Sequence, residues 1–516
     1  MGKLPVGIQS FEKIREEGYL YVDKTRYVYE LVHGGVPYFL SRPRRFGKSL
    51  MISTLKAYWE GKKDLFTGLE IEKLETTWRA YPVFHFDFNG VNYQEKGALE
   101  EALNNHLSLW EKEYGSAGKP LSERFQNLLI RAKEKTGLRS VILVDEYDKP
   151  LLDLVEKPDL QQHNKEVFKG FFSTLKRLDE EIQFIFITGV SKFHKVSIFS
   201  DLNQLTDISL IKKYAGICGI TEEELRRVLH GETEELAGEL GILPDECLER
   251  LKRRYDGYRF HPNAEGVYNP YSLLSAFFAG ELGSFWFETG TPTFLLHRLK
   301  ACHFDPRKFT DRTIYASEAV LKDFTGDLLD PIPLLYQTGY LTIAEYDDKR
   351  QRYTLCFPNE EVKYGFLESL MPTYVPDATA GNGLDIFTLD EAIENGELNR
   401  IRDYLAALFA SITYTLASDP FEHYFQAVIY LVFELLGKMT VCEQHTYTGR
   451  IDCKVETRNY VYLFEFKRDE PAKAALEQIE RKDYALPFVA DTRKVYKIGV
   501  AFDSKTRKLV EWEVGS

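Results

Sequence analysis

Six cysteines in 516 residues (Cys218, Cys247, Cys302, Cys356, Cys442 and Cys453) include no Cys-x-x-Cys pair. That excludes both a disulfide framework and a zinc site as the organising element. No run of about 18 apolar residues occurs, so no membrane-spanning helix and no membrane partner are expected. The opening Met1-Gly2-Lys3-Leu4-Pro5 carries no apolar signal region. An excess of cations is also lacking. Lys and Arg number 66 against 79 Asp and Glu, a net charge of −13, which excludes wholesale wrapping of nucleic acid but leaves room for a local basic cleft. These absences predict a cytoplasmic protein with reduced thiols. With 44% hydrophobic and 28% charged residues, the chain has the composition of a soluble globular protein, and its length calls for two to four domains.

One short stretch organises the rest. Tyr38 to Leu40 reads as a buried strand and Ser49 to Trp59 as a helix, and between them lies Ser41-Arg42-Pro43-Arg44-Arg45-Phe46-Gly47-Lys48-Ser49. Gly47-Lys48-Ser49 matches the end of a phosphate-binding loop. There backbone N–H groups at a helix N-terminus cradle phosphate, Lys reaches the terminal phosphates and the hydroxyl holds Mg2+. The full pattern wants Gly five positions before Gly47, where this chain has Arg42. Alone, the tripeptide is equally a helix start after a glycine turn; the strand and helix around it favour nucleotide.

Further strands follow at Val83–Phe88, Ser140–Glu146 and Ile182–Ile187, with an amphipathic helical region over 96–135. Alternating strands and helices predict a parallel α/β sheet. The Ser140–Glu146 strand ends in two acids. In a P-loop ATPase, Asp145 would bind Mg2+ through water, and Glu146 would orient or deprotonate the attacking water. An acidic strand end capping the next helix is the plainer alternative. After Ile187, either Thr188 or Ser191 is placed to sense the bound nucleotide.

Four phrases carry a resemblance: Leu4-Pro5-Val6-Gly7-Ile8-Gln9-Ser10-Phe11, Tyr21-Val22-Asp23-Lys24-Thr25, Arg42 to Ser49, and Val144-Asp145-Glu146-Tyr147-Asp148-Lys149-Pro150. Together they resemble the AAA-ATPase-like family of bacterial proteins, which typically carries a PD-(D/E)XK nuclease-like domain at its C-terminus. The resemblance implies an additional-strand (ASCE-type) P-loop core over residues 1–220 and makes Arg42 the family's own form of the loop; Arg42, with Arg44 and Arg45, is expected to add positive charge near the phosphates. It implies a helical lid over 221–310, with helices at Glu222–Leu229 and Pro244–Tyr255. The phrases Tyr255-Asp256-Gly257-Tyr258-Arg259-Phe260 and Trp286-Phe287-Glu288-Thr289-Gly290-Thr291-Pro292 belong to the same pattern. Arg259 is either a γ-phosphate sensor, an intersubunit finger or, more simply, a surface salt bridge.

Over 311–371 a helix at Pro331–Gln337 precedes strands Gly339–Ile343 and Tyr353–Leu355, the outline of a winged helix. Without a basic recognition helix, packing is favoured over DNA binding. Residues 372–385, rich in Pro, Gly, Ala and Asn, read as a linker.

The last domain, 386–516, holds a second constellation. A helix over Asp419–Leu436 carries Glu422 and Gln426 on one face. Two alternating strands, Gly449–Glu456 and Tyr460–Lys467, flank a turn at Arg458-Asn459. That turn sets Asp452 opposite Glu465, with Lys467 on the same face. Asp452, Glu465 and the Phe466 carbonyl can hold Mg2+ or Mn2+, while Lys467 orients the attacking water or stabilises developing charge. Glu422 completes the shell or binds a second metal. Gln478, on a helix over Ala474–Tyr484, resembles the QxxxY-type element of such nucleases, but Tyr484 stands two residues too far along. An exposed salt-bridged edge is the bland alternative for Glu465 and Lys467.

The expected function is therefore an α/β enzyme that binds and hydrolyses ATP with Mg2+ through Arg44, Arg45, Phe46, Gly47, Lys48, Ser49, Asp145 and Glu146. Nucleotide would gate phosphodiester cleavage of nucleic acid, DNA in the first instance, in the C-terminal mixed α/β domain. Assembly into a homo-oligomer is left open. The alternative is a nucleotide-dependent switch with an inactive nuclease-like domain.

Overall fold

The computed structural model describes residues 2–115, 118–192, 198–199, 202, 204–288, 295, 299, 304, 306–309, 314–322, 330–374, 386–410, 421–436, 439–445, 449–503, 506 and 508–515; side chains at 372–374, 386–387, 421–426 and 439–445 are left aside. The chain divides into two compact units. The first comprises Met1–Gly290 and Tyr315–Glu361, the second Thr291–Ile314 and Val362–Ser516.

In the first unit, β1 (Tyr38–Ser41), β2 (Val83–Asp87), β3 (Ser140–Asp145), β4 (Ile182–Gly189) and β5 (Thr206–Asp207) form one sheet in the order β2-β3-β4-β1-β5. All four ladders are parallel. Every residue of β1 and β3 is buried, as in a sheet covered on both faces. One face is packed by aromatic rings: Phe86 lies 4.9 Å from Trp110, 5.2 Å from Phe125 and 5.6 Å from Phe171. Those rings come from the helices Ala98–Tyr114, Leu121–Thr136 and Pro158–Phe172. The helix Lys48–Trp59 brings Trp59 to 5.4 Å from Phe184 of β4.

Helices Glu222–Val228, His230–Leu240, Pro244–Tyr255 and Pro270–Ala279 enclose a separate apolar cluster around Leu225, Leu236, Leu251 and Leu273. A capping box at Thr221 and Glu224 starts the first of them. Helix Ile332–Thr338 then leads into β7 (Thr342–Asp347) and β8 (Arg352–Cys356), which pair antiparallel in a three-stranded sheet with β6 (Ile314–Ser317) in the order β6-β8-β7. The expected linker 372–385 lies outside the described residues apart from the helix end at 372–374.

The second unit is built on a mixed sheet, β13-β12-β11-β10-β9, of β9 (Met439–His445), β10 (Arg450–Glu456), β11 (Tyr460–Arg468), β12 (Lys494–Phe502) and β13 (Leu509–Gly515). Only β11 and β12 run parallel; the other ladders are antiparallel. One face meets the helix Phe421–Leu435 through Phe433, 5.9 Å from Phe464. The helix Ala472–Arg481 contributes Ile479 to the cluster of Ile451, Val461 and Leu463. Among the described residues no helix is long and apolar enough to cross a membrane.

Candidate functional site

The loop after β1 is held from outside. Arg45 and Gly47 both take positive φ, 65° and 89°, and Gly47 sits at the N-cap of Lys48–Trp59, where a Cβ would be strained. Arg42 is 1% exposed. Its guanidinium donates to the carbonyls of Ser41, Ser209 and Tyr214 at 2.9–3.0 Å and stacks 3.8 Å from the Phe260 ring centroid. Burial pulls its pKa down to about 10, which leaves it a cation at neutral pH. Arg42, expected to add charge near the phosphates together with Arg44 and Arg45, is committed to three backbone carbonyls and is not among the residues that line a cleft with Arg44 and Arg45. Phe46 is likewise buried, edge-on to Tyr258 and Phe260 at 4.7 and 5.6 Å. The Trp286 indole donates to the Arg44 carbonyl at 3.1 Å, and Gly339 approaches so closely that a Cβ there would lie 2.7 Å from Pro43. The phrase from Tyr255 to Phe260, chemically silent in the sequence, is a buttress of this loop.

Arg44, Arg45, Lys48 and Ser49 line a cleft of about 410 Å3 that Glu146 and Asp148 also line. Lys48 Nζ donates to the Pro43 carbonyl at 3.1 Å. Glu146 takes φ 52°, a left-handed conformation rare outside glycine. Burial pushes its carboxyl up, opposed by the nearby Lys48 ammonium. Asp145 is buried, with Oδ1 accepting from Thr188 Oγ1 at 2.6 Å. Ser191 Oγ donates to Asp148 Oδ2 at 2.7 Å. Thr188 and Ser191, expected as nucleotide sensors, are fully buried and commit their hydroxyl protons to carboxylates. Their side chains are not among the residues lining the cleft. Arg259 reaches the Ala344 carbonyl at 3.2 Å and belongs to no described ion pair. Beside the cleft, and sharing Pro5, Gly47, Leu50, Pro270 and Leu274 with it, lies an apolar pocket of about 90 Å3.

In the second unit the two-residue turn fixes the ladder register, with Glu456 opposite Val461 and Cys453 opposite Phe464 as the last described pair. Asp452 Oδ2 accepts from the Phe466 amide at 2.8 Å. Lys467 Nζ donates to Gln478 Oε1 at 2.7 Å and lies 3.6 Å from Glu465 Oε1. Gln478 Nε2 in turn donates to Glu465 Oε1. Glu465 is 1% exposed, and its Oε2 has no hydrogen-bond partner among the described residues. Burial, then the Asp452 carboxylate, push the Glu465 carboxyl up to about 8, opposed by Lys467. Glu465 and Lys467 are therefore no solvated edge. No group of three or more His, Cys, Asp or Glu gathers among the described residues; the side chain of Glu422 lies outside them. The two acids and the orphaned oxygen nonetheless suit a hard divalent cation.

Two residues that sequence reading passed over shape this site. Gly499 pairs with Glu465 across β11 and β12, and a Cβ there would stand 2.3 Å from the Ala472 carbonyl oxygen. Only glycine lets the Ala472–Arg481 helix lie close enough to present Gln478. Tyr484, too far along a continuous helix, does reach the site. The helix stops at Arg481 and Asp483 takes φ 48°, so the chain folds back with the Tyr484 amide on the Ile479 carbonyl. Burial raises the Tyr484 hydroxyl pKa, with Glu465 adding to the effect and a hydrogen bond with Gln478 opposing it. Its hydroxyl donates to the Arg450 carbonyl at 2.6 Å. Tyr484→Phe is expected to lower stability by about 1 kcal/mol, the worth of one such bond, read as a fall in urea midpoint at constant slope.

A parallel P-loop sheet and a mixed sheet carrying Asp452, Glu465 and Lys467 define an ATPase-like protein with a PD-(D/E)XK nuclease-like domain. Family models agree: one described as a predicted AAA-ATPase matches residues 5–199, and one for the PD-(D/E)XK nuclease superfamily matches residues 420–512. The chain is 36% identical to an uncharacterized protein in the vnfD 5' region of Azotobacter chroococcum mcd 1, over 100% of this chain and 99% of that one. The chain belongs to this family of AAA-ATPase-like proteins with a C-terminal PD-(D/E)XK nuclease superfamily domain. A 23% identity to vacuolar protein sorting-associated protein 30 of Candida glabrata covers 34% of this chain and 35% of that protein, too little to carry argument.

Proposed function

We propose that the protein hydrolyses ATP and uses that cycle to control Mg2+-dependent cleavage of nucleic acid at the β10–β11 hairpin. The observation that carries this reading is Glu465, a buried carboxylate with an unpartnered oxygen, set against Asp452 and braced by Lys467 and Gln478. Two such acids side by side are costly to ionise, and an isolated structural pair would sooner be replaced by apolar residues. Asp452, Glu465 and the Phe466 carbonyl are the residues to hold Mg2+ or Mn2+, with Glu422 from the preceding helix completing the set. The bound cation supplies Lewis-acid stabilisation of the phosphodiester. Lys467, fixed by Gln478, orients the attacking water or neutralises charge on the phosphate.

In the first unit the apolar pocket suits a nucleobase and the cleft its phosphates, with Lys48 and the first-turn amides of Lys48–Trp59 as donors. Ser49 and Asp145 are the residues for the accompanying Mg2+, and Glu146 faces the cleft as the group that orients water. Residues 221–310 are read as a lid and 311–371 as a winged-helix-like module packed on the loop.

The test is incubation of the full chain with linear, circular and branched DNA, and with RNA, in Mg2+ with and without ATP. Cleavage is expected, lost in Asp452→Ala/Lys467→Ala and unresponsive to ATP in Lys48→Ala. Cleavage no greater than that of the double variant would sink the nuclease reading; Lys48-dependent ATP binding surviving alone would make the protein a nucleotide switch.

A further inference from the structure

Asp148 is 1% exposed, lines the cleft, and has no part in the chemistry above. Both its oxygens are filled. Oδ1 accepts from the Val190 amide at 3.2 Å; Oδ2 accepts from the Ser191 amide at 2.6 Å and the Ser191 hydroxyl at 2.7 Å. A carboxylate so committed is poorly placed to take a proton from water. Glu146, two residues earlier, lines the same cleft and accepts no described side-chain hydrogen bond, but its backbone sits at φ 52°. A non-glycine residue keeps such a conformation only where its surroundings over-determine it.

Those surroundings are a lock between two strand-end turns. On one side of Glu146, Asp145 Oδ1 accepts from Thr188 Oγ1. On the other, the Tyr147 amide donates to the Thr188 carbonyl at 3.0 Å, and the Tyr147 hydroxyl to the Ser191 carbonyl at 3.3 Å. Asp148 supplies three more bonds to the same turn. Gly189 permits the approach, since a Cβ there would lie 2.6 Å from the Tyr147 ring and 2.8 Å from Asp148 Oδ1.

We propose that Asp148 is a positioning residue for ATP hydrolysis: by gathering the Val190 and Ser191 donors it clamps the end of β4 to the acid turn and holds Glu146 facing Lys48 across the cleft. Ser191, expected to read the nucleotide directly, acts through Asp148 instead. The proposal rests on the ATPase reading above and deepens it.

The experiment measures fluorescent ATP-analogue affinity and steady-state ATP turnover in the full chain and in Asp148→Asn, Ser191→Ala and Lys48→Ala. An asparagine offers one acceptor oxygen where three donors converge. Asp148→Asn is therefore expected to keep nucleotide affinity within about 3-fold while kcat falls roughly 30-fold or more, the pattern of a lost transition-state interaction. Ser191→Ala, which removes one of the three donors, is expected to lower kcat by about 3- to 10-fold with affinity unchanged, and it carries the test should Asp148→Asn fail to fold. An Asp148→Asn/Ser191→Ala double variant should be no slower than Asp148→Asn alone, because both changes break one lock. Unaltered kcat in both single variants, or affinity lost in step with kcat, would overturn the positioning role and leave the ATPase reading intact. Absence of Lys48-dependent binding or of turnover in the unsubstituted chain would overturn both.

Discussion

Glu465→Gln is expected to lower metal-dependent cleavage on the order of 10³-fold, the several kcal/mol that a catalytic cation contributes to charge stabilisation. It is expected at the same time to leave the fold as stable as before, or more so. Gln keeps the shape of Glu465 but removes a carboxyl that burial and Asp452 make costly to ionise and whose Oε2 has no described partner. A purely structural residue behaves in the opposite way, since its loss costs stability first. The sign follows from the raised pKa. A carboxyl whose folded value is near 8, above its unfolded value, makes the fold progressively less stable as pH climbs from that unfolded value through about 8. Removing the group removes that penalty. Calorimetric titration with Mn2+ separates binding from turnover: the isotherm should vanish in Glu465→Gln and persist in Glu480→Gln, whose carboxylate meets Lys497 at the surface. An unchanged isotherm in Glu465→Gln would rule Glu465 out as a ligand.

Where the sequence could be read, one local rule was enough. The run Val141–Val144 is apolar without interruption, and all of β3 is buried because both faces of the sheet are covered. The β10–β11 register, Glu456 opposite Val461 and Cys453 opposite Phe464, follows from counting outward from a two-residue turn along strands with a period of two. Where reading failed, the determinant lay elsewhere in the chain or in one backbone angle. Counting turns from Gln478 puts Tyr484 out of reach only if the helix continues, and Asp483 turns the chain instead. Gly499 looks like any strand glycine until the Ala472 carbonyl is set over it. Asp148 reads as one more acid in Asp145-Glu146-Tyr147-Asp148, because its three donors come from residues 42 or 43 positions away. Thr188 and Ser191 are a separate case: both stand at the strand end expected for sensing, and each hydroxyl gives its one proton to an acid, Asp145 and Asp148 in turn.

Arg42→Gly restores the glycine that general phosphate loops have, and it is expected to destabilise the protein by roughly 3–5 kcal/mol without tightening nucleotide binding. Three carbonyls, of Ser41, Ser209 and Tyr214, would lose a donor that is itself only 1% exposed. Phe260 would lose the cation on its face, and the contact of Phe46 with Phe260 would border a cavity. Arg42→Lys should fall between, because one ammonium cannot reproduce the planar fork that spans those carbonyls. Urea unfolding at constant slope reads the loss, and analogue titration reads affinity. A Gly variant within about 1 kcal/mol of the unsubstituted chain, or one that binds nucleotide more tightly, would contradict this account of the loop. General phosphate loops use glycine to let the backbone wrap phosphate; here Phe260, Tyr258, Trp286 and Gly339 press the loop into shape from outside.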